Sequence, residues 1–227
     1  MPAARARRTT GPLELPVLSS PRTPRTGAAV GDSPATAAAR VTLRAFTAAD
    51  VVLIQSASQD PLIPLITSVP STAGQSEALA FIERQHHRLA SGAGWSFAVA
   101  DAETGVGVGQ IGLWPGQSSR RTGNPDTIGY WIGPGHRKQG YAGAALELLT
   151  DWGLGVRQMP RIDLYIEPWN EGSWRTAEGA GYLRDALLPS WQKVGTQWRD
   201  MYRYIRAAGP APGPPESGAR KTGPKIG

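Results

Sequence analysis

The stretch "DTIGYWIGPGHRKQGYAGAALELLTDW", residues 126–152, constrains the fold more than any other part of the chain. An apolar strand runs into a corner marked by Gly133, Gly135 and Gly140, and a helix opens directly behind it. Tyr141, Ala145, Leu148, Leu149 and Trp152 recur at helical spacing, which sets Glu147, Thr150 and Asp151 on the opposite, polar face. A corner of this kind aims unpaired N–H groups and the positive end of a helix dipole at whatever lies in front of it. Gly135 and Gly140 enclose four residues, as in the phosphate loop of nucleoside triphosphatases. Tyr141 and Ala142 then stand where a magnesium nucleotide needs a lysine and a hydroxyl. Arg137 and Lys138 supply mobile positive charge instead, so the corner suits a diphosphate held without a metal.

A second glycine pattern misleads. Gly107, Gly109 and Gly112 fit G-x-G-x-x-G, the dinucleotide fingerprint, but that motif needs a helix to open within it. Leu113, Trp114 and Pro115-Gly116 follow, so the segment reads as a glycine-rich strand. Around it, "RVTLRAFT" alternates as a half-buried strand, and Thr47 with Asp50 opens a helix in the manner of a capping box. "QDPLIPLITSVPSTAG" reads as a proline-broken loop, and "SEALAFIERQHHRLASG" as a helix with His86 and His87 at its surface. "WSFAVADAETGVGVGQIGLW" gives two strands about a tight turn, "RIDLYIE" another, and "TQWRDMYRYIR" the last. Asn170 caps a helix carrying a Glu171–Arg175 pair, and Gly181 suits its end.

The formal charge of +6 suggests nucleic acid until it is located. Residues 1–39 carry five arginines against Glu14 and Asp32, and residues 207–227 carry three basic residues against Glu216. That leaves residues 40–206 nearly neutral, so no specific nucleic-acid face is expected. Both ends are rich in Ala, Pro, Ser, Thr and Gly without apolar period, and are expected to be disordered extensions of one domain at 40–206. No segment has the length of a membrane span or the apolar run of a secretory signal. The absence of Cys fits a reducing, cytoplasmic setting, and His86, His87 and His136 lack metal-ligand spacing, so no metal is expected.

The run Arg137-x-x-Gly140-x-Ala142 after "GYWIGP" resembles the acetyl-CoA pyrophosphate loop of the GNAT superfamily of N-acetyltransferases. The block Asn170-x-x-Ser173-x-Arg175-x-x-Glu178-x-x-Gly181-Tyr182 follows at that superfamily's distance. It is similar to the branch that acetylates N-terminal alanine or serine amines of ribosomal proteins. "VP" at Val69–Pro70 and "VGQIGLW" at 108–114 extend the resemblance over 40–206.

The resemblance implies an α/β (α+β) acyl-CoA N-acyltransferase fold. Its mixed, mostly antiparallel sheet would be flanked by helices and splayed between the strands at 126–132 and 161–167. Acetyl-CoA would be the acetyl donor. The main chain around Tyr130, Trp131 and Ile132 would orient its acetyl group and polarise the thioester carbonyl, and Arg137, Lys138, Gln139, Gly140, Tyr141 and Ala142 would bind its diphosphate. Asn170 would hold the pantetheine arm, and Ser173 would bind near the sulfur and protonate the departing thiolate. Some relatives carry a Glu shortly before the last hairpin where this chain has Gln192; Glu167 is the substitute base, with His136 a weaker one. Trp131, Trp169, Trp174 and Trp191 hint at an aromatic acceptor mouth. The acceptor is expected to be a protein or peptide N-terminal α-amine. A small-molecule amine such as an antibiotic or polyamine is the alternative, as is a silent acyl-CoA-binding module. The chain is expected to act as a monomer or homodimer.

Overall fold

A computed structural model describes residues 15–20, 40–116 and 125–209. The extensions expected at residues 1–14, 21–39 and 210–227 lie outside the described residues.

One eight-stranded sheet organises the molecule. Its strands are β1 (Leu18–Ser19), β2 (Val41–Arg44), β3 (Trp95–Asp101), β4 (Gly107–Trp114), β5 (Asp126–Ile132), β6 (Arg161–Ile166), β7 (Leu183–Val194) and β8 (Gln197–Ala207). The order across the sheet is β1-β2-β3-β4-β5-β6-β8-β7. Every neighbouring pair is antiparallel except β5 and β6, which run parallel. That mixed sheet, flanked by helices, is the expected fold class.

Strand alternation sorts the core into two layers. Phe97 and Val99 face a cluster with Leu146, Leu149 and Tyr182, under α4 (Tyr141–Asp151) and α5 (Glu171–Gly179). Ala98 faces Leu53, Ile54, Phe81 and Trp131, under α1 (Val51–Ser58), α2 (Ile63–Ile66) and α3 (Gln75–Ala90). Covered on both faces, β3 is buried along nearly its whole length, which explains why "WSFAVA" is uninterrupted by charge.

Local chemistry accounts for the helix starts. The Asp50 carboxylate accepts the Thr47 N–H at 2.8 Å and is gripped by both Nη atoms of Arg44, at 2.8 and 2.9 Å. The Asp60 carboxylate accepts the N–H groups of Leu62 and Ile63 at 2.9 and 3.0 Å, which turns part of the expected proline-broken loop into α2. The glycine-rich segment is a strand: a Cβ on Gly109 would run into the Trp131 carbonyl oxygen on β5.

Two readings of the sequence are corrected and one left open is resolved. Thr150 is fully buried rather than on a polar face, because the Tyr182 hydroxyl reaches it across the α4–α5 packing at 2.7 Å. The final hairpin is complete: β7 spans "LRDALLPSWQKV", whose Pro189 and irregular pattern hide a strand at the sheet edge, where Pro is tolerated. Finally, β1 falls within the extension expected to be disordered. It pairs Leu18 with Leu43 and Ser19 with Thr42, and Leu15 and Leu18 pack against the core.

A chain cut to residues 40–206 is therefore expected to unfold cooperatively but at a lower Tm than one beginning before Leu15. Losing two partly buried leucines costs on the order of 1–3 kcal/mol. Calorimetry of the two chains measures this, and equal Tm values would make β1 dispensable.

Candidate active site

The site is a defect in the sheet. β5 and β6 are registered only at Asp126↔Ile162 and Thr127↔Asp163. Beyond that apex β5 stays with β4 out to Ile132, and β6 stays with β8 out to Ile166. The facing edges thus separate into the expected V, with main-chain groups open to an extended ligand that could bridge them. A cavity of about 590 Å³ fills the V, lined among others by Gly129, Tyr130, Trp131, Glu167, Asn170 and Ser173.

At one wall α5 brings two hydroxyls together. Asn170 caps the helix, its Oδ1 accepting the Ser173 N–H at 3.2 Å, and this fixes the first turn. The Tyr130 hydroxyl reaches across from β5, 2.9 Å from Ser173 Oγ and 3.0 Å from the Ser173 carbonyl oxygen, to which it can donate. Burial pushes the Tyr130 pKa up to about 12, against the opposing hydrogen bond from Ser173. The phenol is therefore neutral at ordinary pH and remains a proton donor. Sequence reasoning gave Tyr130 a main-chain role only; nothing in the spacing places its hydroxyl on Ser173.

Glu167, just past β6, is 8% exposed and lines the same cavity. Its carboxylate accepts the indole N–H of Trp169. Gln192 also lines the cavity, from β7. His136 does not: it borders a separate hollow of about 450 Å³ with Arg44, Asp50 and Gly133. Of the expected aromatic mouth, Trp131 and Trp169 line the V, together with the unforeseen Trp114. Trp191 instead stacks on Tyr165 at 5.5 Å, and Trp174 packs at the edge of the core. The Trp131 indole donates to Gln110 Oε1 at 2.7 Å, inside a buried network in which the Gln110 amide donates to Gln85 at 3.1 Å and to Ser96 at 2.8 Å. Every buried polar side-chain atom among the described residues has a partner, so this wall is rigid.

The glycine corner has the backbone of an anion site. Lys138 and Gly140 both take left-handed conformations, with φ of 60° and 83°. Among the described residues, the N–H groups of residues 138–143 find no carbonyl acceptor; the ladder begins with Ala144 N–H on Gly140 O at 3.1 Å. Gly140 is the position where a side chain would be strained. Arg137, however, is not the mobile charge expected. Its Nε donates to Ile132 O at 3.2 Å and its Nη2 pairs with Asp60 at 2.8 Å. Asp60 also caps α2, so Arg137 ties the corner to the opposite helical layer. Gln139 Nε2 donates to Gly135 O at 3.2 Å, and the Tyr141 hydroxyl to Asp101 at 2.9 Å, so the free donors of the corner are main-chain ones joined by the exposed Lys138 ammonium.

Residues 40–183, well over half of the chain, match the family described as "Acetyltransferase (GNAT) domain", and the chain belongs to that family. It is 24% identical to the N-acetyltransferase p20 of Bacillus licheniformis over 165 residues, covering 73% of this chain and 91% of that one. Among solved structures, the ribosomal L7/L12 α-N-protein acetyltransferase RimL in complex with coenzyme A superposes with a TM-score of 0.62 at 15% identity. That match covers 74% of this chain and 93% of RimL. The spermidine N-acetyltransferase of Vibrio cholerae in complex with CoA and spermine superposes with a TM-score of 0.59 at 18% identity, covering 74% and 95%. At these identities the two structures share the fold. The chain is thus an acetyl-CoA-dependent N-acetyltransferase.

Proposed function

We propose that the chain transfers acetyl from acetyl-CoA to an α-amine at the N-terminus of a peptide or protein. The observation that carries this reading is the imbalance of the cavity. It holds a part-buried hydroxyl pair suited to giving a proton, whereas Glu167, the one carboxylate lining it among the described residues, is already bonded to Trp169 and Gln192 faces it from β7. A site with a good acid and a modest base suits an amine that is partly neutral on arrival. RimL, an α-N-protein acetyltransferase, has the same fold, and so does the spermidine enzyme. The fold therefore leaves the choice to the site.

In the reaction, the N–H groups of residues 138–143 would hold the donor's diphosphate, and the open edges of β5 and β6 would hold its pantetheine arm, with the Asn170 amide nearby. The neutral amine forms a bond to the thioester carbonyl carbon. Negative charge on the carbonyl oxygen would be stabilised by main-chain N–H groups around Tyr130–Ile132. The C–S bond then breaks, the thiolate takes the Ser173 Oγ proton, the Tyr130 hydroxyl replaces it, and a proton from solvent restores the Tyr130 phenol. The surplus proton on the amine leaves to Glu167 or to water.

Free α-amines have a pKa of about 7.7–8.0 and lysine side chains about 10.4, so roughly a tenth of the first and under about one in a thousand of the second are neutral at pH 7. The greater nucleophilicity of lysine returns part of that advantage. A short peptide with a free N-terminus is expected to show a kcat/KM at least about tenfold above the same peptide acetylated there and carrying one lysine. Faster turnover of the blocked peptide would overturn the reading, and failure of both beside turnover of small amines would favour a small-molecule acceptor.

A further inference from the structure

Arg88, on the last turn of α3, lines one rim of the active-site cavity, and Arg84, one turn earlier, reaches Ser68 of that rim. Arg88 Nη2 donates to Ser68 Oγ at 3.1 Å, and Arg84 Nη2 to the Ser68 carbonyl oxygen at 3.4 Å. The Arg88 guanidinium also lies 4.8 Å from the centroid of the Trp114 ring, and Arg88, Ser68 and Trp114 all line the cavity. Eight arginines among the described residues have a carboxylate within 4.0 Å; Arg84, Arg88, Arg157 and Arg199 have none there, and of these four Arg88 is the one that lines the cavity. The strand connection at 117–124, "QSSRRTGN", brings no acidic residue either.

This arrangement works against the folded state taken alone. Like charges at i and i+4 on a helix repel, and a half-buried guanidinium without a counter-ion is poorly solvated. Burial and the Arg84 charge both bear on the Arg88 cation. A planar fork stacked on an indole and steadied by a serine is preorganised for a carboxylate.

The position excludes the donor's phosphates as that anion. Trp114 pairs with Thr127, at the closed apex of the V, whereas the corner with the free N–H groups lies beyond Ile132, at the other end of β5. We propose that Arg88, with Arg84 beside it, receives a carboxylate of the acceptor. The substrate is then an amine that also carries a carboxylate, either an acidic side chain near a peptide N-terminus or the terminal carboxylate of a short one, and polyamines are repelled. This rests on the acceptor cavity assigned above.

The test compares Ala-Ala-Glu-amide with Ala-Ala-Gln-amide, and Ala-Ala-Ala with its amide, so that the first pair reads a side-chain carboxylate and the second a terminal one. In the full chain, at least one pair is expected to show about a tenfold higher kcat/KM for the carboxylate, expressed mainly in KM. Arg88→Gln should bring that ratio close to one, Arg88→Lys should recover part of it, and the exposed Arg84→Gln should lower it partway. Acetyl-CoA affinity by calorimetry reports that each variant is folded. Titration of the same peptides into CoA-saturated protein reads the preference without turnover. A carboxylate preference in binding, with no peptide acetylated, would therefore sink the α-amine reading and uphold this one. Equal use and equal binding of carboxylate and amide in both pairs, or a preference that survives Arg88→Gln, overturns it.

Discussion

Gly140→Asp is expected to weaken acetyl-CoA binding at least about 100-fold while leaving the protein folded. Gly140 stands at φ 83°, directly before the first turn of α4, with the open N–H groups of 138–143 around it. An aspartate tolerates a left-handed backbone better than most residues, so the strain on the fold is modest. Its carboxylate would compete for those N–H groups and repel the incoming diphosphate. At about 4 Å and an effective dielectric near 20, a like-charge pair costs about 4 kcal/mol before salt screening. Gly140→Ala separates the contributions, since it adds the Cβ without the charge and should lose less. Calorimetric titration with acetyl-CoA, beside thermal unfolding, measures both. Parental affinity in a folded Gly140→Asp protein would remove the corner from the binding site.

That corner was legible because strand, glycines and helix are contiguous, and the same holds for the Thr47–Asp50 cap and the Asn170 cap. Each is a local device whose residues sit within a few positions of one another. The parts that escaped are long-range. Arg137 looks like a phosphate ligand in sequence; its tie to Asp60, 77 positions earlier, appears only when α2 lies over the corner. The Tyr130 hydroxyl meets Ser173 across 43 positions, and no periodicity encodes that meeting. Arg88 on Trp114 is of the same kind. Whether one strand or two close the core is open in the sequence for another reason: an edge strand that is mostly exposed, as β7 is, needs no alternation and leaves no clear pattern. Leu18 in β1 and Leu15 just before it were lost among the Pro, Ser and Thr of their neighbours, because a two-residue strand carries no period at all.

Ser173→Ala is expected to lower kcat about 100-fold while changing the affinity for acetyl-CoA by less than about threefold, in the range typical of a lost proton donor. The distinction follows from when the hydroxyl acts. In the ground state the thioester sulfur is uncharged and gains little from Ser173 Oγ; as the C–S bond breaks, the developing thiolate gains a great deal. The alanine keeps the main-chain N–H that Asn170 caps, so the first turn of α5 survives. Tyr130→Phe should lower kcat in the same direction but less, because Ser173 retains its own proton and loses only the 2.9 Å partner that replaces it. The pH dependence offers an independent check. Burial keeps Tyr130 protonated up to about 12, so no descending limb from this pair should appear through the mildly alkaline range. A kcat untouched by Ser173→Ala, with acetyl-CoA binding intact, would return Ser173 to the capping of α5 and leave the thiolate to be protonated by solvent.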